Sequence, residues 1–229
     1  MNKTLLLRSV LFCPTDKVSM IEKALGLNPV SGKMIADAVV LDLEDSVSPL
    51  MKSLARENVC SVLSNICATT RKLPIIAIRI NCIETTTWGT DDLKLLSMRK
   101  FDAVVIPKVN SIQSLKHTIS RIESRNIPIW AMIETAKGVL NAPSIAESNE
   151  VQSLIFGSND LTKDLKAFYT RDRQPLLYSM SQCILAARAA RKKVIDGVFM
   201  DISDEIRFRE ECLAGKNLGF DGIACVITE

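Results

Sequence analysis

Apolar residues in this chain fall into short dense runs, separated by longer stretches where they recur every three or four positions. The dense runs read as strands: 6–13 (LLRSVLFC), 38–43 (AVVLDL), 75–81 (IIAIRIN), 103–108 (AVVIPK), 127–134 (IPIWAMIE), 153–157 (SLIFG), 197–200 (GVFM) and 222–227 (GIACVI). They are rich in Val and Ile and mostly apolar on both faces, as parallel strands covered by helices must be. The periodic stretches predict helices over 16–26, 51–67, 91–99, 111–125, 175–192 and 203–218. In 51–67, for example, Leu54, Val59, Val62, Leu63 and Ile66 line one face. Ser111 and Ser203 read as N-caps, the latter followed by Asp204 and Glu205 in the first turn. Segment 135–150, with Gly138 and Pro143, is the least regular.

Eight strand–helix alternations without a linker or low-complexity tract predict an α/β fold, a (β/α)8 TIM barrel forming one domain over residues 1–229. An open doubly wound sheet is the rival, but no GxGxxG or P-loop glycine pattern supports it. A hydrophobic content of 47% fits a filled core and excludes disorder. The net charge of +3 is too small and dispersed for nucleic acid. The N-terminal MNKTLLLRSVLFCP is broken by Arg8 and followed by Asp16, so it lacks a signal-peptide core, and no run approaches a membrane span. Seven scattered cysteines without CxxC spacing fit reduced thiols in a cytoplasmic protein.

Polar residues gather where the strands end. VVLDLEDSV (39–47) starts as a core strand and then places Asp42, Glu44 and Asp45 within four residues. Strand three ends in Arg79 and Asn81, strand four in Lys108, strand five in Glu134 and strand six in Ser158, Asn159 and Asp160. By alternation, Asp42 and Glu44 share a face, as do Arg79 and Asn81, and Met132 and Glu134, so a barrel mouth collects them. Taken singly, Asp42 or Asp45 can cap a helix and Lys108 can be a surface lysine. Arg79 inside an apolar strand needs an acidic partner or a ligand. Glu134 and Asp160, on neighbouring strands, supply hard oxygen ligands that suit octahedral Mg2+ completed by waters and a chelating substrate. The lone His117 lies in a polar helical stretch, which argues against zinc and His-dependent catalysis.

Nine pieces, in order, resemble the citrate lyase β-subunit-like family, within the metal-dependent aldolase and acyl-CoA lyase barrels. They are RSVLFCP (8–14), DAVVLDLEDSV (37–47), RIN (79–81) followed by Trp88, PK (107–108), IETAKGV (133–139), FGSNDLTKDL (156–165), AARAA (186–190), DGV (196–198) and GFDG (219–222). The resemblance implies a Mg2+-dependent carbon–carbon lyase that cleaves a citramalyl, malyl or citryl-like thioester into a 2-oxoacid and an acetyl thioester. It implies Glu134 and Asp160 as metal ligands, Arg79 on the substrate's carboxylate and oxyanion, and the Ser158–Asp160 turn around the 2-oxoacid carboxylate. Glu44 and Asp45 become acids bordering the metal, holding its waters and Arg79. Arg8, with Lys17 and Lys23, becomes a candidate contact for the phosphates of coenzyme A. The partners implied are an acyl-CoA or 2-oxoacid and further copies of the chain, three or more. The family reads PG where this chain has Pro14-Thr15. It also continues after GFDG with a lysine, an IHP element and a helical lid, whereas this sequence reads IACVITE. Absence of that lid leaves Glu44 or a metal-bound water as acid/base. Two other readings are a Schiff-base aldolase using Lys108 and a non-catalytic or partner-dependent thioester-binding subunit.

Overall fold

A computed structural model describes residues 6–27, 36–66, 73–98, 100–123, 126–199, 201 and 203–227. In chain order the elements are β1 (Ser9–Pro14), α1 (Val18–Ala24), β2 (Ala38–Asp42), α2 (Lys52–Ile66), β3 (Ile75–Arg79), α3 (Trp88–Leu95), β4 (Ala103–Ile106) and α4 (Ile112–Ser120). They continue with β5 (Ile129–Ile133), α5 (Ala136–Leu140), α6 (Ala142–Ala146), β6 (Val151–Phe156), α7 (Ser158–Asp164), α8 (Leu177–Ala189), β7 (Lys193–Phe199), α9 (Glu205–Leu218) and β8 (Gly222–Val226). Every strand pairs in parallel with the next, and β8 pairs with β1, closing the barrel.

Strand alternation separates two apolar layers. Val39, Leu41, Ile76, Ile78, Val104, Leu154 and Val194 belong to the layer packed under the helices. Phe12, Val40, Ala77, Val105, Trp130, Met132, Ile155, Ile195 and Ala224 belong to the inner cluster. Small Ala38, Ala77, Ala103 and Ala224 leave room for the fully buried Trp130, whose Nε1–H donates to Gln152 Oε1 at 2.8 Å. A barrel interior filled this way is a core, and chemistry is left to the rim.

Several boundaries differ from the sequence expectation for local reasons. Strand seven starts at Lys193, well before the expected residue 197, because Asp196 faces out of the barrel and is paired with Arg173. Polarity at that position masked the strand. Asp204, rather than Ser203, caps α9 by accepting from the Arg207 N–H at 2.9 Å, while Ser203 Oγ donates to Asp201. Ser111 caps α4 as expected, in a reciprocal pair with Ser114. Segment 135–150 holds two short helices, with Thr135 capping the first and Pro143 in the opening turn of the second. Helix α7 was not expected; it begins directly at the end of β6 and carries Ser158, Asn159 and Asp160 in its first turn. Expected helical residues 67, 99 and 124–125 and strand residue 200 lie outside the described residues.

Candidate active site

Asp42 and Arg79 are cross-strand partners at the ends of β2 and β3. Arg79 donates from Nε to Asp42 Oδ1 at 2.7 Å and from Nη2 to Oδ2 at 2.6 Å, while its Nη1 stands 3.0 Å from Glu44 Oε2. The guanidinium also lies 5.1 Å from the Phe12 ring centroid. Asp42 accepts the backbone N–H groups of Glu44 and Ser46, so one buried carboxylate pins both the arginine and the turn carrying the other acids. Burial works to raise the Asp42 pKa, but Arg79 and those N–H groups outweigh it and hold the carboxyl below its ordinary value.

The turn is braced from behind. Buried Lys52 donates to the Leu43 and Glu44 carbonyls at 2.7 and 2.6 Å and sits 5.2 Å from the Trp88 ring centroid. Asn81 donates to the Leu43 carbonyl and to Asp92. Strand β3 ends at Arg79, so the expected alternation does not carry Asn81 into the mouth.

Glu134 follows β5 and is only 2% exposed. Its Oε1 accepts the Lys108 backbone N–H at 2.7 Å. Two glycines make the space. A Cβ at Gly157 would stand 2.4 Å from Glu134 Cβ and 2.7 Å from Oε2, and one at Gly197 would stand 2.5 Å from Ser158 Oγ. Burial, then the neighbouring Glu44, pushes the Glu134 pKa up to about 8; Asp160 adds to this, and Arg79 and the Lys108 N–H oppose it. Glu44 is raised by burial too, against the pull of Arg79.

Lys108 Nζ lies 3.0 Å from Glu44 Oε1 and 4.0 Å from both Asp45 Oδ1 and Asp160 Oδ2; Lys163 Nζ lies 2.9 Å from Asp160 Oδ1. Five carboxylates (Asp42, Glu44, Asp45, Glu134, Asp160) therefore face three cations (Arg79, Lys108, Lys163). Beside them opens a cavity of about 280 Å³, lined among others by Phe12, Asp45, Arg79, Met132, Glu134, Ser158, Asn159 and Asp160.

The fold thus assembles Arg79, Asp45, Glu134, Ser158, Asn159 and Asp160 around one cavity. Glu44 is not among its lining residues and stands behind it, bridging Arg79 and Lys108. Asp45 does not reach Arg79; it is half-exposed at the rim. Arg8 is a correction. It precedes β1, whereas the mouth lies past Pro14, roughly 20 Å away along the strand. Its side chain is 70% exposed and forks onto Asp37 at the opposite end of the barrel. Lys23 sits in the last turn of α1, while Lys17 opens that helix at the mouth end. His117 is exposed on α4. The residue that sequence reasoning undervalued is Asp42. Its signal is the β2–β3 register, which places it opposite Arg79 and which no spacing along the chain reveals.

Among the described residues no three His, Cys, Asp or Glu side chains form a complete metal cage. The donor set nonetheless fits a hard divalent cation. Glu134 and Asp160 offer carboxylate oxygens, and the raised Glu134 pKa, caused first by burial and then by Glu44, reports a buried carboxylate whose charge a cation would neutralise.

The barrel thus carries an arginine and a surplus of carboxylates at its C-terminal rim, where barrels of this kind place their chemistry. The chain belongs to the HpcH/HpaI aldolase/citrate lyase family, whose model matches residues 8–227. It is 37% identical over 215 residues to a protein of Cereibacter sphaeroides named (3S)-malyl-CoA thioesterase, covering 94% of this chain and 71% of that one. It is 30% identical over 231 residues to the citrate lyase subunit beta of Escherichia coli, covering 96% and 73%. Among solved structures it resembles CitE of Mycobacterium tuberculosis in complex with magnesium, acetoacetate and coenzyme A. The TM-score there is 0.79 at 26% identity, over 97% of this chain and 77% of that one.

Proposed function

We propose that the protein is a Mg2+-dependent carbon–carbon lyase cleaving a short 3-hydroxy-carboxyacyl thioester, such as citramalyl-CoA, malyl-CoA or a citryl-like thioester, into a 2-oxoacid and acetyl-CoA. The observation that carries this reading is the convergence of Glu134, Asp160 and Arg79 on one cavity. Glu134 and Asp160 are the residues that would hold the metal. Bound there, Mg2+ would supply Lewis-acid stabilisation of a substrate oxygen on which negative charge develops.

Arg79 is kept charged and fixed by Asp42, since burial pulls its pKa down and Asp42, with Glu44 and Glu134, more than restores it. Held this way, it meets the carboxylate of the 2-oxoacid half and the oxygen on which charge accumulates, without reorganising during the reaction. Ser158 and Asn159 border the same cavity and orient that carboxylate. Asp45, on the cavity wall, is better placed than Glu44 to exchange the proton that quenches the enolate. Glu44 instead positions Arg79 and Lys108.

A Schiff-base mechanism at Lys108 is disfavoured. Burial lowers that pKa, but Glu44 and Asp45 overcome it and keep the amine charged, whereas imine formation needs it neutral. A second reading, thioester hydrolysis, is favoured by the relative named (3S)-malyl-CoA thioesterase. The relatives named as citrate lyase subunits favour dependence on a partner protein.

One assay separates these readings. The purified chain is incubated with Mg2+ and malyl-, citramalyl- or citryl-CoA, and the products are resolved. A 2-oxoacid with acetyl-CoA, abolished by EDTA, supports the lyase; a hydroxyacid with free CoA supports hydrolysis. No product until a second protein is added supports the partner-dependent subunit. Full activity in EDTA overturns the metal reading. Light scattering tests the expected assembly of three or more copies.

A further inference from the structure

Lys108 stands out among the residues at the mouth because its backbone is strained. Five described non-glycine residues have positive φ: Lys108 (52°), Asn126, Lys166, Arg173 and Arg191. Lys166 and Arg191 each lie one residue past a helix C-cap, where left-handed backbone is an ordinary way to end a helix. Lys108 follows a strand, so no helix end accounts for it. A left-handed conformation is disfavoured for a residue with a Cβ, which crowds the neighbouring carbonyl oxygen. What the chain obtains there is a backbone N–H aimed at Glu134 Oε1, at 2.7 Å. The same residue places its ammonium 3.0 Å from Glu44 and 4.0 Å from Asp45 and Asp160. Lys108 is absent from the lining of the cavity, so it acts on the carboxylates from the side.

We infer that Lys108 is a positioning residue with two opposed actions on the cation site: its left-handed backbone orients the Glu134 carboxylate for a divalent ion, and its ammonium competes with that ion for the surrounding acids. This rests on the reading of Glu134 and Asp160 as cation ligands. The two actions together set affinity. A fixed Glu134 tightens the site, and a resident positive charge beside Asp160 keeps it from holding the metal too strongly.

Two substitutions pull the actions apart. Lys108→Gly removes the ammonium and adopts φ near +52° without strain. Lys108→Val also removes the ammonium, but its branched Cβ resists that conformation and withdraws the N–H from Glu134. The measurement is Mg2+ and Mn2+ affinity of the full chain without substrate, by calorimetry and by Mn2+ electron paramagnetic resonance, with thermal melts to verify folding. The expected results are cation binding roughly tenfold tighter than wild type for Lys108→Gly, and roughly tenfold weaker than the Gly variant for Lys108→Val. A merely structural lysine would lower melting temperature in both variants without separating their affinities. Equal affinities in wild type and both variants, with the wild type binding normally, overturn this inference alone. A wild type that binds neither cation overturns both it and the metal reading beneath it.

Discussion

Two buried arginine–aspartate pairs in this barrel have nearly the same chemistry and different surroundings. Arg79 grips Asp42 with two hydrogen bonds of 2.7 and 2.6 Å at the mouth; Arg173 grips Asp196 with two of 2.8 and 2.9 Å between the barrel wall and its helices. Around the second pair the charges balance, since Glu211 and Arg207 add one of each sign. Around the first they do not. Glu44, Glu134 and Asp160 raise the count of acids above that of bases, although both pairs border a cavity. A buried ion pair is thus weak evidence for function by itself. Uncompensated charge next to it is the discriminating feature.

The sharpest way to break the comparison is to remove the surplus. Glu134→Gln should cost at least about a thousandfold in 2-oxoacid release, since it removes the negative charge of a cation ligand, worth several kcal/mol of charge stabilisation. Retention of a tenth of wild-type activity would show that the mouth is no more catalytic than the outer pair. Next comes the contrast between the arginines. Arg79→Lys should lower kcat roughly a hundredfold while the protein stays folded, because a lysine cannot reproduce the forked geometry. Arg173→Met leaves Asp196 buried without its partner and should cost roughly 3–5 kcal/mol in urea unfolding. Its kcat per folded molecule should stay within about twofold of wild type.

A smaller effect concerns pH. With the Glu134 pKa raised from 4.5 to about 8, the folded state binds more protons than the unfolded one between those values. Stability of the cation-free protein should therefore decline as pH rises through that window. Glu134→Gln should flatten this slope in thermal melts, and Mg2+ should restore wild-type stability most strongly above about pH 8. The smallest expected effect is at Arg8. Its exposed fork onto Asp37 lies at the far end of the barrel, so Arg8→Ala should leave KM for the thioester unchanged. A raised KM there would mean that the coenzyme reaches much farther than the mouth.

Much of this was legible in the residue order. The eight strands were placed because each carries a dense apolar run, and parallel strands buried on both faces leave that mark. β7 was misjudged because Asp196 interrupts its run, and only the packing of Arg173 against it makes the charge tolerable. Ser203 looked like a cap because it stands in the right place; Asp204, one residue on, was the better acceptor once the backbone turned. Arg79, Glu134 and Asp160 were found because charged groups at strand ends stand out against apolar runs. Arg8 is near in sequence to the first loop, but it stands just before the strand that the loop follows, at the far end of the barrel.

The periodicity of apolar positions, by itself, determines the alternation of strands and helices and puts the acids and Arg79 at strand ends. Periodicity is a local property. The closing of the barrel and the division of labour at its rim belong to the tertiary structure. That Asp42 holds Arg79, that Glu44 stands behind the cavity, and that a strained Lys108 aims its N–H at Glu134 all depend on strand register and backbone conformation. These contacts join residues 26 to 64 positions apart. Only the closed barrel brings such distant side chains to within 3 Å and removes the water that would otherwise screen them.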